Sequence, residues 1–180
     1  MIKSVSPIVA VAVLLSGPHF VRADEVATPT PAVRLRLDGG ATSIDTLLDA
    51  FQAAIDAKDE RALHRLRVNQ REYLEIIIPG TVKPGEPPRK VEPTPSMWFW
   101  QMLNQKSEDM GRHLIKVYGG HKTKRIAVKF TKGSREFGLY KAHGNVELTL
   151  QYETGEQQEL RTGSIAEVNG RFKFIGFNQK

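Results

Sequence analysis

Val146-Glu147-Leu148-Thr149-Leu150-Gln151-Tyr152-Glu153 is the stretch whose pattern decides the fold. Apolar and polar side chains alternate along it, the period of a strand with one face on a core and the other in water. Toward the C-terminus, Thr154-Gly155-Glu156 turns into a second run holding Leu160 and Ile165, where Gly163 signals a bulge. Asn169-Gly170 marks a tight hairpin, and the chain returns through Phe172, Phe174, Ile175 and Phe177. Toward the N-terminus, Ile126, Val128 and Phe130 alternate with Ala127, Lys129 and Thr131, and Arg135 to Tyr140 reads as a further strand. The expectation is an antiparallel meander of four to five strands.

Upstream the period changes to that of helices. Ile44, Leu47, Leu48, Phe51 and Ile55 form one apolar stripe, with Thr42 or Ser43 placed to cap the free amides ahead of it. Asp59 can cap a second short helix carrying Leu63 and Leu66. Asn69 followed by Glu72 has the spacing of a capping box for a third, with Tyr73, Ile76 and Ile77, which Pro79 stops. Residues 79–95 hold six prolines and two glycines and predict a long loop. Thr94-Pro95 then opens a long helix through Trp98, Met102, Leu114 and Ile115, ended by Gly119-Gly120. Helices first and strands afterwards predict an α+β fold, with helices covering one face of the sheet.

The first residues read as a targeting segment. Lys3 supplies the charge, Val5 to Leu15 the apolar stretch, and Val21-Arg22-Ala23 the small residues of a cleavage site. Residues 1–23 are therefore expected to be a signal peptide cut after Ala23, with a periplasmic or secreted product. Residues 24–42 read as a flexible linker, with a short edge strand at Val33, Leu35 and Leu37, and residues 43–180 as one domain. No apolar run reaches the roughly 18 residues of a membrane span. The chain has no cysteine, so disulfides, thiol catalysis, thiolate metal sites and a lipid-modified N-terminal cysteine are excluded. The formal charge is +6, and loss of Lys3 and Arg22 leaves +4.

The elements together resemble the nuclear transport factor 2-like superfamily, whose fold is a cone-shaped, cystatin-like α+β. The resemblance rests on three segments: the opening helix Thr46 to Asp59, the short helix with Leu63 and Leu66, and the closing pair Ala166-Glu167-Val168-Asn169-Gly170-Arg171-Phe172-Lys173-Phe174-Ile175-Gly176-Phe177. It covers roughly residues 42–178. It implies a strongly curved antiparallel sheet around the N-terminal helices, with an apolar cavity at the wide end. The superfamily holds ketosteroid isomerases, dehydratases and non-catalytic binding or accessory modules, and fold alone does not choose among them. The isomerases' Tyr/Asp oxyanion pair has no counterpart here, and the proline-rich insert and the long helix behind it depart from the compact enzymes.

The expected function is thus an exported, non-catalytic binding or accessory module. Its cavity would be lined by Phe51, Trp98, Met102, Leu148, Leu150 and Phe174, holding a small apolar molecule or a segment of another protein. The alternative is an isomerase or dehydratase with a carboxylate/His pair. Asp109 and His113 stand four apart on a predicted helix, where a carboxylate can orient an imidazole. Tyr118 and His143 are the other acid–base candidates. The plainer reading of Asp109 and His113 is a charged helix face. The histidines are too scattered for a metal site, no glycine-rich phosphate loop is present, and no cofactor is called for.

Trp98, Phe99 and Trp100 cannot all face one core on a helix, and packing under the proline-rich loop is the expectation for them. Residues 112–141 are strongly basic, with Glu136 the lone acid, and residues 147–167 are mainly acidic. The basic run would suit an anionic envelope surface, though a solvated face is the plainer account. It lacks the interleaved aromatics of a nucleic-acid platform, so nucleic acid is not expected as a partner. A third reading makes the exposed sheet face a homodimer surface.

Overall fold

The computed structural model describes residues 35–177, all within one compact unit; the expected signal peptide and the start of the linker lie outside the described residues. The helical half is α1 (Ile44–Asp56), α2 (Glu60–Arg65), α3 (Gln70–Glu72), a π-helical turn (Tyr73–Ile77), α4 (Ile78–Gly80) and α5 (Pro93–Tyr118). The strands are β1 (Thr123–Phe130), β2 (Ser134–Glu136), β3 (Lys141–His143), β4 (Val146–Tyr152), β5 (Gln157–Arg161), β6 (Ile165–Val168) and β7 (Arg171–Phe174).

The helices start where their caps are. Ser43 Oγ accepts the Thr46 amide, and Asp59 Oδ1 accepts the Ala62 amide at 2.8 Å. At α3 the capping box closes in both directions, since Asn69 Oδ1 accepts the Glu72 amide and Glu72 Oε2 accepts the Asn69 amide. Leu47, Leu48, Phe51, Ala54 and Ile55 of α1 are buried, and each of the larger side chains contributes about 2 kcal/mol by leaving water. Pro79 sits inside α4 and Pro93 opens α5, so the loop is residues 81–92, shorter than the prolines alone suggest. Helix α5 starts after Glu92 rather than at the expected Thr94 cap.

The described strands pair antiparallel, in two open sheets ordered β1-β4-β5 and β2-β3-β6-β7, and one isolated parallel bridge joins Arg67 to Phe174 of β7. The two are made from the same passes of chain. Lys141 pairs with Glu167 and Glu147 with Arg161, six residues forward against six back, so β3–β4 and β5–β6 are one hairpin in a single register. Between the halves, Thr162 N–H still donates to Val146 O at 2.9 Å, and Ile175 N–H to Ser164 O at 2.8 Å. The expected meander is thus present as four passes, three of them interrupted at one level.

Glycines make that interruption. A Cβ on Gly163 would collide with the carbonyl of Gly176, and one on Gly144 with the carbonyl of Lys132. Gly163 is therefore a place of close backbone approach and no bulge: the register does not slip there. The slip lies in β1, between Arg125 and Ala127. The Asn169-Gly170 hairpin forms as expected, with φ of 49° and 70°, the pair of positive values that a type I′ turn requires.

Two cores result. One joins α1, α2 and Leu114 of α5 to Val146, Leu148, Leu150, Leu160, Ile165 and Phe174; the other packs Leu37, Val68, Ile76 and Ile77 on Tyr140, Ala166 and Val168. Leu37 is buried and Ala41 bridges Phe172, so packing reaches upstream of residue 43; no ladder forms at Leu35–Leu37. No described helix is long and apolar enough to cross a membrane.

Candidate functional site

Helix α5 buries the small residues Ser107 and Gly111 along with Leu114. Leu63 and Phe177 lie at ordinary contact distance from where a Gly111 Cβ would stand. Small residues let α2 and the segment after β7 approach the helix closely, and beside them, at the interrupted level of the meander, a cleft of about 680 Å³ remains. Its floor is apolar, from Leu103, Met110, Ile175 and Phe177, and its far wall carries Asn145 and Ser164, joined at 3.2 Å. Lys106, Asp109 and His113 stand on its rim.

Asp109 and His113 are thus brought to one cleft, as the helical spacing requires. No described hydrogen bond joins them. Asp109 Oδ1 instead accepts Arg112 Nη2 at 2.5 Å and Gln105 Nε2 at 3.1 Å. The carboxylate meant to orient an imidazole is committed to a guanidinium, and both rim residues are exposed. The other two acid–base candidates lie elsewhere. Tyr118 donates to the carbonyl of Glu159 at 3.4 Å. His143 is buried in β3, its Nδ1 2.9 Å from Ser134 Oγ and its Nε2 2.8 Å from Glu167 Oε2.

The six residues expected to line an apolar cavity do not meet around one. Phe51, Leu148, Leu150 and Phe174 are fully buried in the first core; the Phe51 and Phe174 rings pack tilted, with centroids 5.3 Å apart. Trp98 and Met102 are 58 % and 38 % exposed on α5. Neither Trp98 nor Phe99 is covered by the proline-rich loop; they pack edge to face on each other at 5.1 Å, and Trp100 alone turns inward, against Tyr73. The cause is the helix phase: the small residues of α5, and not its aromatics, take the buried face.

A second, polar cleft of about 820 Å³ was missed in the sequence. It is bordered by Arg67, Asn104, Glu108 and Lys173. Lys173 Nζ stands 3.0 Å from both oxygens of Glu72, and both residues are buried. Glu72 also accepts the amides of Asp38 and Asn69, so its oxygens are fully used. Arg67 is buried too, with Nη2 on Asn104 Oδ1 and its guanidinium 5.8 Å from the Phe177 ring. Burial pulls its pKa down, and Glu108 pushes it back up. Among the described residues no three potential ligands gather as a metal would need.

Comparison of the chain with protein-family models, with curated proteins and with solved structures returns no match.

Proposed function

We propose that this chain is an exported binding module, cut after Ala23, which holds a small amphipathic molecule in the cleft between α5 and the interrupted level of the meander. The observation that carries the reading is the cleft's makeup: an apolar floor of four side chains under a few convergent polar groups, in a volume suited to a small ligand. Lys106 and His113 on the rim favour a ligand with an acidic or polar head, since Arg112 already neutralises Asp109. The helices-first order and the four-pass antiparallel meander support kinship with the nuclear transport factor 2-like superfamily, in which the sheet would wrap the helices as a cone. The isomerase or dehydratase reading built on Asp109 and His113 has less support, because no hydrogen bond couples the two.

Native mass spectrometry of the protein purified from its own host tests the reading. The expected result is a co-purifying small molecule whose affinity drops about tenfold in Lys106→Glu, the loss of one charge-assisted contact, with an unchanged melting temperature. Protein that carries nothing, or a ligand indifferent to Lys106, contradicts it.

A further inference from the structure

Ser134, His143 and Glu167 belong to three neighbouring strands, β2, β3 and β6. Ser134 pairs directly with His143, and His143 with Ile165, two residues before Glu167. Side chains two apart on a strand share a face, so all three project to the same side. The pairing also fixes their closeness. Phe137 N–H donates to Tyr140 O at 2.9 Å, and hydrogen-bonded and non-bonded pairs alternate from there, so Ser134 and His143 fall in a non-bonded pair, where side chains approach most closely.

The hydrogen bonds run in one direction. An ionised carboxylate only accepts, so Glu167 Oε2, 2.8 Å from His143 Nε2, fixes the proton on Nε2. Nδ1 then presents its lone pair to Ser134 Oγ at 2.9 Å, and the hydroxyl donates to it. The His143 side chain is 11 % exposed and the serine is at the surface: a sheltered base beside an accessible hydroxyl. We propose that Ser134 is the nucleophile of an acyl-transfer site that hydrolyses small esters with an apolar acyl group, with His143 as its general base and Glu167 holding the tautomer.

Two further features suit that chemistry. The same alternation turns the backbone N–H of Ser134 off the outer edge of β2, which has no described strand on that side, placing one donor beside Oγ for a developing oxyanion. Phe130, 39 % exposed, and Phe172 have ring centroids 6.3 Å and 6.1 Å from the imidazole and offer apolar contact to an acyl chain. In the first half-reaction Oγ attacks the ester carbonyl carbon and its proton passes to Nδ1. The tetrahedral intermediate then collapses, the bond to the leaving oxygen breaks, and the alcohol departs with that proton. Water, deprotonated by Nδ1, attacks the acyl-serine. The carboxylic acid leaves and Ser134 takes its proton back, so that ester and water become acid and alcohol with no other reactant.

The test is labelling of the full chain with a fluorophosphonate probe, read by peptide mass spectrometry, alongside hydrolysis of p-nitrophenyl butyrate. The expected result is phosphonylation of Ser134, no labelling and no turnover in Ser134→Ala, and labelling about 10²-fold slower or worse in His143→Ala and Glu167→Gln. Circular dichroism shows which variants fold. Should the buried His143 not tolerate alanine, Ser134→Ala and Glu167→Gln at the more open positions decide the matter. A label on another residue, wild-type protein that resists the probe, or Ser134→Ala hydrolysing at the wild-type rate overturns the proposal. None of these outcomes depends on the α5 cleft.

Discussion

Glu72 and Lys173 show what a single residue can hold in this fold. A buried carboxylate is tolerated because two backbone amides and an ammonium satisfy it, and that ammonium has no other described partner. Removing one member strands the other. Lys173→Met is expected to lower stability by about 3 kcal/mol in urea unfolding, the cost typical of breaking a buried pair, and an unchanged midpoint contradicts that role. Half of this was legible. The spacing from Asn69 to Glu72 named the capping box, but Lys173 lies 101 residues away and reads as one more charge on a strand. His143 repeats the pattern: its residue type drew notice, while Ser134 and Glu167 become its partners only through strand register.

At the scale of elements, the meander and α5 set the geometry together. Alternation located β1, β4 and β7, and the turn residues located their hairpins. Alternation does not reveal that three passes are interrupted at one level, since the interruption comes from backbone approaching backbone at Gly144 and Gly163. Gly163→Ala puts a methyl group against the Gly176 carbonyl, where no flexible side chain can yield. The expected loss is on the order of 4 kcal/mol, seen as a lowered melting temperature; a variant of native stability would show that the approach is not tight. In α5 the three adjacent aromatics drew the reading toward them, and the small residues gave no hydrophobic signal. Yet Ser107 and Gly111 lie on the buried face of α5, where Leu63 and Phe177 stand at contact distance from Gly111 and Ser107 Oγ accepts the Phe177 amide.

For the molecule as a whole, the order of periods in the sequence was enough for the α+β class and the antiparallel pairing. It was not enough for the site. Of the apolar residues expected around a cavity, Phe51, Leu148, Leu150 and Phe174 lie in the core and Trp98 and Met102 on the surface, because alternation reports which side chains turn inward and not whether they leave space between them. The α5 cleft is bounded by the ends and edges of elements, at positions such as Asn145, Ser164 and Ile175 that carry no periodic signal. This cleft is where we propose that the protein binds its ligand. Titration of the isotopically labelled protein with decanoate, followed by amide chemical shifts, tests it most directly. Saturable shifts are expected at Met110, His113, Asn145, Ser164 and Ile175; shifts confined to the exposed Trp98, Phe99 and Met102, or none at saturating decanoate, would rule out binding there.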